Sequence, residues 1–189
     1  MKAADCDILI IPGWAGSDED HWQSRWEAKL STAQRVEQDD WHKPHLKAWT
    51  ERLLTAATGK SRPQVLVAHS IGCIVVANAA QQLASATAAP GHIAGAWLVA
   101  PPSERAVRAI PGVDPAFTPF PRQPLPFPTV VVSASDDPYC PQEEAKALAE
   151  AWDARFLDAG EAGHINTSSG HGPWPDGTLR FATFLRDLK

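Results

Sequence analysis

Short runs of consecutive apolar residues alternate along the chain with stretches whose apolar residues recur every three or four places. The runs fall at Asp7–Ile11, Val65–Ala68, Ile93–Ala100, Thr129–Ser133 and Ala154–Leu157, with a weaker one at Arg35–Gln38. Most are continuous rather than alternating, the pattern of strands covered on both faces. The stretches between them place Trp22, Trp26 and Leu30 on one helical face, then Leu46, Trp49 and Leu53, with Pro44 suited to a first turn. Ala145, Leu148, Ala149 and Trp152 repeat the stripe, as do Phe181, Phe184, Leu185 and Leu188. Strand–helix alternation predicts an α/β fold: a three-layer sandwich of about six mainly parallel strands with helices on both faces. No repeat or break in composition divides the chain, so residues 1–189 are expected to form a single domain.

One segment interrupts the rhythm. Nine of the 17 prolines lie between Pro101 and Pro128, with Phe117, Phe120 and Phe127 among them, a composition that excludes long regular structure. Two compatible roles fit it. It can be a packed connection between the fourth and fifth strands, or a rim over a site at the C-terminal edge of the sheet.

Charge and cysteine usage narrow the classes of partner. The net charge is −5, and Lys and Arg are scattered singly, which argues against nucleic acid as a partner. No apolar run approaches the roughly 18 residues of a membrane span. Asp5 and Asp7 stand where a signal peptide would need an apolar core, so a cytoplasmic protein without a membrane partner is expected. Cys6, Cys73 and Cys140 form no CxxC pair, which suits a reducing compartment, and each reads as a small hydrophobe.

Candidate chemistry centres on Ala68-His69-Ser70-Ile71-Gly72. This stretch follows the apolar run Val65-Leu66-Val67 and opens a small-residue helical stretch at Ile74–Ala80. A serine between a buried strand and a helix, with small residues two places either side, is the pattern of a nucleophile elbow. A serine hydroxyl needs a base, and the base needs an orienting acid. In a doubly wound sheet all three should sit on loops leaving strand C-termini. Asp136 and Asp137 follow the fifth strand and His164 the sixth, giving the chain order serine, acid, histidine. Asp137 is the preferred acid because Pro138 fixes the chain direction after it, whereas Asp136 is expected to bond the amides of its own turn. His171, in a glycine-rich loop, is the rival base; His69 reads as a buried structural histidine and His21 as a helix cap within reach of the site.

The oxyanion of an acyl-transfer reaction needs two preorganised donors. The N–H of Ile71, first in its helix, is one candidate, and the N–H of Trp14, in the loop Pro12-Gly13-Trp14-Ala15-Gly16, is the other. That loop lacks the Lys-Ser/Thr ending of a phosphate-binding loop, so a nucleotide cofactor is not expected. Neither a metal nor an organic cofactor is required by this chemistry. Trp14, Trp22, Tyr139 and Trp174 are candidate walls of an apolar acyl pocket.

The pieces Ile11-Pro12-Gly13-Trp14, His21-Trp22, Ala68-His69-Ser70-Ile71-Gly72, Ser135-Asp136-Asp137-Pro138-Tyr139 and Ala162-Gly163-His164-Ile165-Asn166 together resemble one family. It is that of the small α/β-hydrolases typified by retinoblastoma-binding protein nine and the bacterial YdeN-like proteins. The resemblance implies a minimal α/β-hydrolase fold without a large lid, a triad of Ser70, Asp137 and His164, and esterase-type activity on a small acyl substrate. Ala68 departs from the pattern, since many relatives carry glycine there. Two alternatives stay open: an amidase or peptidase using the same residues, and a protein-interaction module that keeps only the fold.

Overall fold

Six strands lie side by side in one sheet in the computed structural model, which describes residues 1–87, 89 and 91–188. They are β1 (Asp7–Ile11), β2 (Ala33–Arg35), β3 (Gln64–His69), β4 (Ile93–Val99), β5 (Thr129–Ser133) and β6 (Arg155–Asp158). Their order across the sheet is β2-β1-β3-β4-β5-β6, and every neighbouring pair is parallel. Chain direction across the sheet therefore reverses between β1 and β3. In open α/β sheets the crevice at the carboxyl ends of two such strands is where ligands bind.

Both faces of the sheet are covered. Helices α1 (Trp22–Lys29) and α6 (Pro175–Asp187) lie on one side; α2 (Leu46–Ala57), α3 (Ile71–Ala86) and α5 (Gln142–Ala151) lie on the other. Successive strand residues alternate between the two layers. Ile8, Ile10, Val65, Val67 and Val99 pack with Trp22, Trp26 and Phe181, whereas Leu9, Ile11, Leu66, Ala68 and Leu98 pack with Trp49, Leu53 and Leu148. A strand that must bury both faces has no polar positions to spare, which is why these runs are continuous.

The second strand departs from the pattern-based expectation of Arg35–Gln38. It spans Ala33–Arg35, is an edge strand, and buries none of its three residues fully. Its side chains thus carry no apolar signal. Val36, which suggested the strand, lies just past its end, buried, with its N–H still donating to the Ile10 carbonyl at 2.9 Å.

The proline-rich segment fills both roles considered for it. Its first part carries α4 (Glu104–Arg108), a short helix whose N-terminal N–H of Ala106 donates to Ser103 Oγ. Its second part sinks Phe117, Phe120, Leu125 and Phe127 into the α2/α3/α5 layer.

Candidate active site

Ser70 occupies the N-cap of α3 with φ 55° and ψ −131°, a conformation that residues other than glycine rarely adopt. An N-cap serine ordinarily turns its hydroxyl back onto its own helix. Here the bend turns Oγ away and it makes no cap bond. Close packing holds the bend. A β-carbon on Gly13 would lie 2.7 Å from Ser70 Cβ, and one on Gly72 only 2.5 Å from the Ile11 carbonyl oxygen. Beneath the bend, the buried Gln23 amide donates to the carbonyls of Ile11 and Val67 at the ends of β1 and β3.

His164 Nε2 stands 2.9 Å from Ser70 Oγ, while Nδ1 stands 2.9 and 3.0 Å from the two oxygens of Asp137. The Asp137 side chain is fully enclosed, and it also accepts the N–H of Tyr139 at 2.9 Å. A carboxylate only accepts, so Nδ1 carries the imidazole proton and Nε2 is left to accept from the serine hydroxyl. A hydroxyl so placed can pass its proton to the ring as it attacks a carbonyl, and the carboxylate then stabilises the imidazolium. The structure thus brings Ser70, His164 and Asp137 into one hydrogen-bonded line.

The loop carrying His164 is tied down by residues from other elements. Asp136 accepts the N–H groups of Ala162 at 2.8 Å and Gly163 at 2.7 Å. Asp136 thus bonds the histidine loop rather than its own turn, where Asp137 instead accepts the Tyr139 N–H. His69, buried below the site, donates Nε2–H to the His164 carbonyl at 2.9 Å. Burial holds its imidazole well below the ordinary 6.5, so it remains neutral.

The two candidate oxyanion donors are unoccupied in hydrogen-bonding terms. Among the described residues, neither the N–H of Trp14 nor that of Ile71 has an acceptor, whereas Ala15 N–H donates to Trp41 and Gly16 N–H to Gly13.

A cleft of about 740 Å³ opens over Ser70 and His164. One wall is mainly apolar: Trp14, Tyr139, and Ala106, Ala109, Ile110 and Pro111 on and after α4, with Arg105 as its charged member. The other is polar: Asp18 and His21 from the loop between β1 and α1, with Asn166, Thr167 and Ser168. Thr167 Oγ1 donates to the Asp18 carboxylate, joining these two loops. Trp14 and Tyr139 are 41% and 50% exposed and face the cleft.

Trp22 and Trp174, expected in the pocket wall, are not part of it. Both are buried against Trp26 in the α1/α6 layer, 5.0 Å from each other between ring centroids. Trp22 opens α1 and Trp174 caps α6, helices whose apolar stripes face the sheet rather than its edge. Trp22 still touches the site's frame, since its Nε1–H donates to the Ile165 carbonyl at 2.9 Å. His171 lies off the cleft, bonded to Ser169 Oγ at 3.2 Å.

The three cysteines are buried and unpaired. Burial pushes the thiols of Cys6 and Cys140 up to about 11 and about 12, and that of Cys73 higher still, so none is a ready nucleophile. Among the described residues, no group of three or more His, Cys, Asp or Glu is arranged to hold a metal ion. Among the same residues no helix is long and apolar enough to cross a membrane.

Residues 8–183 match the protein family described as serine hydrolase. Among solved structures, a YdeN-like hydrolase from Pectobacterium atrosepticum is similar at 32% identity, with a TM-score of 0.80 over 96% of this chain and 91% of that one. The ydeN gene product of B. subtilis is similar at 21% identity and a TM-score of 0.76, over 96% of this chain and 100% of that one. Esterase 2 of Thermogutta terrifontis shares the fold at 18% identity and a TM-score of 0.65, over 100% of this chain and 87% of that one. No curated protein matches the chain.

Proposed function

The chain belongs to the serine hydrolase family, and from that premise we propose that it cleaves a small carboxylic ester or thioester through an acyl-enzyme on Ser70. The observation that carries this reading is the unbroken line from Ser70 Oγ through His164 to the enclosed Asp137. His164 Nε2 takes the hydroxyl proton as Oγ attacks the acyl carbon, and the developing oxyanion is received by the free N–H groups of Trp14 and Ile71. The Ile71 amide is the first of α3, whose N-terminal dipole also favours negative charge. His164 then hands the proton to the leaving group. A water molecule, deprotonated by the same nitrogen, releases the acid and restores the serine.

An apolar acyl portion is favoured by the mainly apolar wall. Trp14, Ile110 and Tyr139 offer an acyl chain apolar contact area. The test is turnover of short-chain esters by Ser70→Ala. Activity should fall to the uncatalysed background or within about 10³–10⁴-fold above it, the residue of rate left by binding and oxyanion donors alone. A Ser70→Ala protein as active as the parent would refute the proposal.

A further inference from the structure

His21 is a buried histidine on the cleft that the reaction above leaves without a part. It is the N-cap of α1, and its Nδ1 accepts the N–H of Gln23 at 3.1 Å. A ring nitrogen that accepts carries no proton, so the neutral ring must hold its proton on Nε2. That Nε2–H has no acceptor among the described residues. Yet it is not shut away from solvent, although the residue is only 4% exposed, and the side chain lines the cleft that Ser70 lines. A donor held in one tautomer, buried at its base and open at its tip, is preorganised for an acceptor that the protein itself does not supply.

The surroundings indicate which part of a substrate that is. His21 stacks edgewise on His69 at 4.8 Å between ring centroids, and His69 lies 4.9 Å from His164. It shares the polar side of the cleft with Asn166 and Thr167, two and three residues after the histidine that protonates the leaving group. The α4 side, joined to the Tyr139 carbonyl through Ser103 Oγ, presents Ala106, Ala109, Ile110 and Pro111 beside Arg105. Ala106, Ala109, Ile110 and Pro111 suit an apolar acyl chain, which leaves the alcohol for the polar His21 side.

We propose that His21 is a substrate-contacting donor, its Nε2–H bonding an oxygen on the alcohol portion of an ester whose acid portion is apolar. This assignment rests on the Ser70 acyl-transfer reading and adds the polarity of the substrate's two halves to it. Protonation would place a second N–H against that of Gln23, and burial holds the imidazole down at about 4, so the donor is constant across the neutral range.

Two variants separate capping from donation. His21→Asn keeps a strong capping oxygen but lacks the reach of Nε2. His21→Gln places an amide N–H near the Nε2 position and loses the cap. The probes are 2-methoxyethyl butanoate and butyl butanoate, equal in length and differing by one ether oxygen, with acid release followed by titration. For His21→Asn, kcat/KM on the methoxyethyl ester should fall about 10- to 100-fold, the range for one lost donor, while the retained cap confines the fall in melting temperature to the lost ring contacts with Trp22 and His69. The fall on the butyl ester should be several-fold smaller. His21→Gln should recover much of the methoxyethyl activity despite a lower melting temperature. Equal losses on both esters, no loss at all, or no recovery by His21→Gln would overturn the assignment while leaving the Ser70 reading intact. If the parent shows no Ser70-dependent hydrolysis of either ester, the acyl-transfer reading itself fails, and the His21 assignment with it.

Discussion

At the scale of single residues, two adjacent aspartates do different work. Asp137 faces the imidazole; Asp136 holds the two amides that precede it. On the proposed mechanism, Asp137→Asn would present an amide N–H to Nδ1 and force the wrong tautomer, lowering kcat by about 10³–10⁴-fold with little change in stability. Asp136→Asn should retain most of the turnover, because both N–H groups donate to the single oxygen Oδ1 and an amide oxygen can accept both, but should cost about 1–2 kcal/mol of stability from the lost charge assistance. Rate measurements on both, alongside denaturant titrations, check the division; the reverse pattern would exchange the two roles. Ser70, Asp137 and His164 were legible in the sequence because each follows a strand by a few residues and the topology converges strand ends. Asp136 and His21 were only half legible. Their partners lie on loops remote in sequence or in the open cleft, and spacing along the chain cannot report a contact of that kind.

At the scale of elements, apolar patterning located every strand with two buried faces and missed the bounds of β2, whose exposed side chains carry no such signal. The stripe that located α1 explains why Trp22 is a core residue, since a helix that must cover a sheet spends its largest side chains on that contact; Trp174, the N-cap just before α6, packs into the same layer. The start of α1 is also pH-sensitive. His21 and His69 are both held neutral by burial, with folded-state values of about 4 for His21 and well below 6.5 for His69. Unfolded imidazoles take up protons as pH falls through about 6.5, and the folded ones do not. Stability is therefore full above about pH 6.5 and declines below it, His21 alone accounting for a loss of about 3 kcal/mol by pH 4. Denaturation midpoints should fall from pH 7.5 to pH 4.5 in the parent protein and fall less in His21→Asn; a flat profile would show that these rings are not held neutral.

At the scale of the whole molecule, the sheet order brings the chemistry together. Reversal of direction between β1 and β3 opens a crevice at their carboxyl ends, and the Gly13–Gly16 loop and Ser70 occupy it from either side. The proline-rich segment closes the crevice on one flank with α4 and anchors itself through buried phenylalanines on the other side of the same connection. Strand–helix alternation made the architecture readable in advance. Which half of that segment faces the cleft was not, since prolines exclude helix and strand without indicating a direction.

The account stands on Ser70 Oγ being the atom that is acylated. Treating the intact protein with a fluorophosphonate and mapping the adduct by mass spectrometry tests this most directly. One phosphonyl group on Ser70, absent in Ser70→Ala and strongly slowed in His164→Ala, is the expected result. An adduct on any other residue, or undiminished labelling of the Ser70→Ala protein, would contradict it.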